Sequence, residues 1–276
     1  MNVVILGDGL MARSILDVLP DAVVLGHSDF DIRDLDSLVR ALKPHKPDVI
    51  VNTVAYHSLA LCEQYPDRAF EINAKGAGRV AALAPTIYVS TDYVFNDGGP
   101  HDEGMPGQQP RSTYGKSKLA GELETLQRDG IVVRVSGLYH HKYESHKGPS
   151  FPTQIVSGFD PVKVANDQRF SPTYTPDAAE RIVEIATHWP ESRIPFNPFT
   201  PPLNGIYHAA NAGSTTWAEF AQQIVEMTRS RRVIVPQAKH DSIRPTNSAL
   251  RSTRLPPLRH WALALQSWSV AREKVG

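Results

Sequence analysis

Hydrophobic and polar positions in the first half of the chain fall into two alternating patterns. Short apolar runs rich in β-branched residues recur at Val3-Val4-Ile5-Leu6, Ala22-Val23-Val24-Leu25, Val49-Ile50-Val51, Ile87-Tyr88-Val89 and Ile131-Val132-Val133. Uninterrupted runs of this length read as strands buried on both faces. Between them Met11–Leu19, Leu35–Leu42, Arg68–Leu83 and Thr113–Gln127 carry apolar residues at helical spacing. Strands separated by helix-length segments make βαβ units. The expected fold is α/β: a Rossmann-type doubly wound parallel sheet, with a smaller mixed α/β substrate-binding lobe.

After Tyr139 the pattern changes. Ten of the 22 prolines lie between Gly148 and Pro202, and His140–Lys147 is polar and histidine-rich. Trp189–Leu203 holds five prolines and reads as a loop. Helices are predicted to resume at Asp177–His188 and Thr216–Thr228, the first N-capped by Thr175 with Pro176 at its first position. The implied organisation is a nucleotide-binding domain over residues 1–138, completed by about 162–188. Residues 139–161 and 189–276 then form the second lobe. Neither an internal repeat nor a low-complexity tract is present.

Composition narrows the class. The 276 residues are 41% hydrophobic and 21% charged, which excludes a disordered chain. No apolar run approaches the ~18 residues of a membrane span, and Met1 leads straight into a strand without a basic leader, so neither an anchor nor a signal peptide is expected. Cys62 is the one cysteine, which excludes an internal disulfide and fits a reducing, cytoplasmic setting. Charge balances at 29 basic against 29 acidic residues, leaving no whole-chain case for nucleic-acid binding. The balance is uneven along the chain. Arg229–Gly276 holds ten Lys or Arg against Asp241 and Glu273, so this tail carries +8 and the remainder −8.

Gly7-Asp8-Gly9-Leu10-Met11-Ala12 follows the first strand and opens the first helix, a G-x-G-x-x-A pattern in strand–turn–helix context. The first glycine permits the tight turn and the second lets backbone approach a pyrophosphate. The small third residue allows close packing, which leaves the helix N-terminus facing negative charge. NADH or NADPH is the expected cofactor. Strand two ends Leu25-Gly26-His27-Ser28, with no carboxylate at its tip for a ribose 2′-hydroxyl and no obvious arginine in its place. His27 and Ser28 would tolerate a 2′-phosphate, which tilts the expectation toward NADPH.

Tyr114 and Lys118, four residues apart near the start of a helix, share one face. Ser90-Thr91-Asp92 ends the strand Ile87-Tyr88-Val89, at the carboxyl edge where open α/β sheets bind ligands. A tyrosine phenol titrates near pH ~10 and needs a neighbouring cation to act at neutrality. A hydroxyl such as Thr91 can hydrogen-bond the carbonyl oxygen that Tyr114 protonates. With a nicotinamide, these groups suit reduction of a ketone.

Ser90-Thr91-Asp92-Tyr93-Val94-Phe95, the Tyr114–Glu122 segment, Ser171-Pro172-Thr173-Tyr174, Gly205-Ile206-Tyr207-His208 and Arg244-Pro245-Thr246-Asn247-Ser248-Ala249-Leu250 resemble, in order and over nearly the whole chain, the dTDP-4-dehydrorhamnose reductases. These are extended short-chain dehydrogenases/reductases. The resemblance implies NAD(P)H-dependent reduction of the C4 ketone of a nucleoside-diphosphate 6-deoxy-4-keto sugar. It makes Thr91, Tyr114 and Lys118 the catalytic triad, with Lys118 also on the nicotinamide ribose. It places Asp31 and Ile32 near the adenine, and Val54, Ala55 and Tyr56 along the cofactor's diphosphate and ribose. Gly7, Gly9, Leu10 and Met11 belong to the same cofactor set. Thr91, Asp92, Gly137 and Arg244 are the substrate candidates.

The chain departs from that pattern in three places. Its glycine turn is one residue shorter than the family's and ends in Ala12. Leu59-Ala60-Leu61-Cys62-Glu63 lacks the family's aspartate. Arg134-Val135-Ser136-Gly137-Leu138-Tyr139-His140 has Gly137 where the family carries a tryptophan facing the sugar, which implies an enlarged pocket and a related sugar. Two other readings share the resemblance: a non-catalytic NADP-binding subunit like the regulatory subunit of methionine adenosyltransferase, and a nucleotide-sugar epimerase or dehydratase.

Within the basic tail, Arg244 is the expected partner of the substrate's pyrophosphate, since a guanidinium pairs with it bidentately. Arg231 and Arg232 are second choices, and Arg251, Arg254, Arg259 and Arg272 are expected as solvated surface charges. His140, His141 and His146 with Glu144 match no metal spacing, so no metal is expected and the segment reads as a flexible loop. Cys62 reads as a packed small hydrophobe, and Trp217 and Phe220 as core. The partner expected is the nucleotide sugar, with a homodimer as the one assembly allowed for.

Overall fold

The computed structural model describes residues 1–105, 109–144, 148–192, 205–239 and 243–274. In the first half the elements run β1 (Val3–Leu6), α1 (Leu10–Val18), β2 (Val23–Leu25), α2 (Leu35–Leu42), β3 (Val49–Asn52), α3 (Leu59–Gln64), α4 (Pro66–Phe70), α5 (Gly76–Ala81), β4 (Thr86–Thr91), α6 (Thr113–Leu126) and β5 (Ile131–Val135). All residues of β1, β3, β4 and β5 are buried, as their unbroken apolar character requires of strands covered on both faces. The predicted helix over Arg68–Leu83 is instead broken. A wider π turn, Glu71–Lys75, separates α4 from α5. It carries the buried Asn73, whose amide donates to the Tyr56 carbonyl at 2.9 Å and to Ser117 Oγ at 2.9 Å, while its Oδ1 accepts from the Tyr56 N–H at 2.7 Å. These bonds tie the loop after β3 to α6, which starts at Thr113 and carries Tyr114.

The chain continues through β6 (Leu138–Tyr139), α7 (Phe151–Ser157), β7 (Val162–Ala165), β8 (Arg169–Phe170), β9 (Thr173–Tyr174), α8 (Thr175–Ser192), β10 (Gly205–His208), β11 (Asn211–Ala212), β12 (Thr215–Thr216), α9 (Trp217–Thr228), β13 (Ile234–Gln237), β14 (Leu258–His260) and α10 (Trp261–Glu273). Among the described residues the main sheet has six strands in the order β2-β1-β3-β4-β5-β10, every pair parallel. Its last strand, β10, comes from the segment expected to form the second lobe; Tyr207 is buried in the main core beside β5. Residues 162–174 move the other way. Val164, Phe170 and Tyr174 pack with Tyr139, Phe220 and Trp268 in a second core, so only α8 of the 162–188 segment completes the first lobe. There it packs on α1 through Ala178, Ala179 and Ile182.

Two local expectations also shift. α8 begins at Thr175 itself, and the Thr175 hydroxyl accepts a 2.8 Å bond from Ser14 on α1 rather than serving as the N-cap. The helix then runs on to Ser192, into the segment read as a loop from Trp189; the rest of that loop lies outside the described residues. α9 carries a full capping box, with Thr216 accepting from the Glu219 N–H and Glu219 accepting from the Thr216 N–H. No helix among the described residues is long and apolar enough to cross a membrane.

Candidate active site

The strands β1, β3, β4 and β5 all end at the same edge of the sheet, and the residues just past those ends build two adjoining clefts. Gly7 leaves β1 at φ 98°, and a Cβ there would stand 2.6 Å from Thr53 Oγ1. Only glycine takes this turn without strain and lets the two loops meet. Gly9 follows as the N-cap of α1, with no atom within 4 Å of the position its Cβ would take. The helix N-terminus therefore opens on free space, the arrangement that cradles a diphosphate.

The first cleft has a volume of about 520 Å³ and is lined by Gly7, Gly9, Leu10 and Met11 from the turn. Asp31, Ile32, Val54, Ala55, Tyr114 and Lys118, the other cofactor candidates, also line it. Tyr56 does not; its ring lies under the Arg68 guanidinium at 5.2 Å, and Arg68 faces the cleft in its stead. Arg33 lines the same cleft. It forms an ion pair with Asp31 (2.7 Å), and its hydrogen bonds hold the Asp31 carboxyl down at about 2. The sequence points to Asp31 here but to no arginine, since neither Arg33 nor Arg68 stands at the tip of β2. Both reach the cleft from farther along, Arg33 past a turn and Arg68 from α4.

The second cleft, about 480 Å³, meets the first at Tyr114 and His57, which line both. The substrate candidates Thr91, Asp92, Gly137 and Arg244 line it. Burial pushes the Tyr114 phenol well above its ordinary range, a hydrogen bond with Thr91 acting the other way. Lys118 Nζ donates to the Val89 carbonyl at 2.7 Å and lies 3.9 Å over the Tyr88 ring. Burial takes its ammonium down to about 7, with Glu122 opposing the shift. The expectation that Lys118 lowers the phenol's pKa is thus not met by the protein alone: desolvation governs both groups.

Asp92 is buried at the junction of the lobes. Its Oδ2 accepts from Ser136 at 2.8 Å and from Ser248 at 2.6 Å, and its Oδ1 accepts from Thr91 at 3.2 Å. Burial outweighs those bonds and raises its carboxyl to about 6. Arg244 donates to the Tyr93 hydroxyl at 3.0 Å on the wall of the second cleft, with Arg169 nearby. Arg231 and Arg232 line neither cleft.

Several expectations about single residues need correction. The pocket is not enlarged at Gly137. A Cβ there would lie 2.4 Å from the Phe170 ring, which occupies the space. Trp217 is not simply core; it stacks on Phe170 at 3.8 Å and lines the second cleft. Arg259 is exposed, as a surface charge should be, but it is also paired: its Nε and Nη2 each reach the Asp177 carboxylate at 2.8 Å. The described part of the histidine segment is packed rather than loose. His140 is buried, stacks on His141 and Tyr143, and its carbonyl accepts from the Trp268 indole at 3.1 Å. His146 lies outside the described residues. Cys62 is buried, its thiol against the Tyr56 carbonyl at 3.2 Å.

Comparison with known proteins is consistent along the chain. Residues 1–273 match the family model described as the RmlD substrate binding domain. The chain is 31% identical to the spore coat polysaccharide biosynthesis protein SpsK of Bacillus subtilis, over 90% of this chain and 88% of that one. It is 31% identical to a dTDP-4-dehydrorhamnose reductase of Streptomyces griseus, over 93% and 89%. Among solved structures, the dTDP-4-dehydrorhamnose reductase of Bacillus anthracis in complex with NADP superposes with a TM-score of 0.85 at 27% identity, covering 98% of this chain and 99% of that one.

Proposed function

The chain belongs to the RmlD substrate-binding-domain family, and from that premise we propose that it is an NADPH-dependent reductase of the C4 ketone of a dTDP-linked 6-deoxy-4-keto sugar. The observation that carries this reading is the meeting of the two clefts at Tyr114, with Thr91 lining the second of them. The first cleft suits a dinucleotide: the glycine turn and the α1 N-terminus take the diphosphate, and Arg68 and Arg33 on its lining are the cations at hand for a 2′-phosphate, Arg33 by leaving its pair with Asp31. NADPH supplies the hydride when bound. The second cleft takes the sugar, with Arg244 and Arg169 at hand for its diphosphate.

In this reading Tyr114 donates its hydroxyl to the ketone oxygen, and Thr91 joins it when its single proton turns there from Asp92 Oδ1. As hydride arrives at C4 the oxygen becomes an alkoxide, and Tyr114 gives it the phenolic proton. The phenolate left behind is buried, so it depends on the Thr91 hydroxyl and on the charge of Lys118, whose proton exchanges near neutrality. Ser136 and Ser248 fix Asp92, and Asp92 in turn orients Thr91. A single, buried thiol fits a cytoplasmic enzyme.

The test is NADPH oxidation with dTDP-4-keto-6-deoxy sugars. Tyr114→Phe is expected to lower kcat by about 10²- to 10⁴-fold while NADPH affinity stays near wild type. Equal rates in the two proteins would refute the role of Tyr114. A wild-type chain that binds NADP tightly yet turns over no such sugar would be a binding subunit instead.

A further inference from the structure

Gly137 lies two residues beyond Val135, and Val135 is the register partner of Thr91 on the neighbouring strand. It adopts φ 50°, a conformation that side chains rarely take, and the Phe170 ring stands 2.4 Å from the position of its missing Cβ. Phe170 is held there. It is 2% exposed and stacks on Trp217 at 3.8 Å with an interplanar angle of 13°. The backbone is pinned as well, through the Thr173 N–H on the Gly137 carbonyl (3.2 Å) and the Ser171 N–H on Ser136 Oγ (3.3 Å). Phe170 and Trp217 both line the second cleft, so the end of β5 next to Thr91 and Tyr114 is walled by aromatic carbon from the second lobe.

We propose that Phe170, backed by Trp217, is the specificity-determining wall of the sugar pocket and receives the C6 methyl group of a 6-deoxy sugar. The proposal rests on the reductase reading above. With O4 on Thr91 and Tyr114, the ring carbons beside C4 are C3, which bears a hydroxyl, and C5, which bears C6. The cleft offers two kinds of surface to them. Asp92, Gln168 and Ser248 are polar; Leu59, Ala60 and Pro245 are apolar, and Phe170 stacked on Trp217 is the aromatic surface packed at Gly137, beyond the end of β5. The hydroxyl at C3 is matched by the polar groups and the methyl by the aromatic pair. A hydroxyl at C6 would meet the wall with no hydrogen-bond partner and lose its water. In this chain the wall is built from positions 170 and 217, with position 137 left empty to admit it.

Calorimetric titration of the NADP-loaded protein with dTDP-6-deoxyglucose and dTDP-glucose, which differ only by the C6 hydroxyl, tests the wall without requiring turnover. Wild type is expected to prefer the 6-deoxy sugar by about tenfold or more, and Phe170→Ala to reduce that preference to about threefold or less. Phe170→Leu, which keeps apolar bulk, is expected to retain most of it, and NADP affinity should be unchanged in both variants. Equal wild-type affinity for the two sugars, or a preference that Phe170→Ala keeps, overturns the wall alone. Failure of the NADP-loaded wild type to bind either sugar overturns the reductase reading and the wall with it.

Discussion

Replacing Asp92 by Asn is expected to change how the stability of the protein depends on pH. The Asp92 carboxyl is buried and titrates at about 6 instead of 3.8. Its folded pKa is raised, so the native state holds the proton more tightly than the unfolded chain does. The stabilisation from that proton is fully present below pH 3.8 and is lost as pH rises through 6. A shift of this size corresponds to about 3 kcal/mol over the whole range. Between pH 8 and pH 5 the linkage relation gives a gain of about 1.4 kcal/mol. Urea unfolding followed by tryptophan fluorescence, run on wild type and Asp92→Asn at both pH values, isolates this contribution. Subtracting the two proteins cancels the groups they share, among them Lys118, brought down to about 7, and His208, brought down to about 4. The wild-type advantage over the variant, whatever its sign at pH 8, should improve by about 1.4 kcal/mol at pH 5. A difference independent of pH, or one moving the other way, would mean that the bonds from Ser136 and Ser248 outweigh burial, and would refute the reasoning.

Arg244→Ala is expected to raise KM for the dTDP sugar far more than it lowers kcat in steady-state assays, because the guanidinium lies on the wall of the second cleft and in the proposed reading meets the diphosphate rather than the ketone; equal effects on both constants would refute a binding role. Gly7→Ala places a methyl group 2.6 Å from Thr53 Oγ1 at φ 98°. It should cost about 1–3 kcal/mol in stability and weaken NADPH binding by about tenfold in a fluorescence titration. Glu122→Ala would leave Arg134 as an unpaired charge at full burial, since Arg134 and Glu122 are joined by two bonds at 2.9 and 2.7 Å. The loss expected in chemical denaturation is about 3–5 kcal/mol, and a loss below about 1 kcal/mol would point to solvent reaching Arg134.

How legible a feature was in the sequence depended on how far apart its parts lie. The strand at Val3–Leu6, the turn at Gly7–Gly9 and the helix carrying Tyr114 and Lys118 all came through within a residue or so, because each is set by neighbours within one turn or one strand. The π turn at Glu71–Lys75 was invisible to periodicity, since its cause is Asn73 reaching across to Tyr56 and Ser117. Asp31 and Arg33 could have been paired by their spacing of two. Arg68 could not, for it enters the first cleft from a separate helix.

The amino-acid pattern alone determined the five strands of the first half, the glycine turn after β1 and the placing of Tyr114 and Lys118 on one helix. Backbone geometry dictates such features locally, whatever the rest of the chain does. Tertiary structure decided the shape of the second cleft. From sequence, Gly137 reads as a hole; in the fold Phe170, stacked on Trp217, fills it from the other lobe. It also decided that Arg259 clamps Asp177 and that Ser248 holds Asp92, pairs separated by 82 and 156 residues. Contacts of that range depend on which surfaces the whole chain brings together in close packing, and a one-dimensional pattern carries no record of them.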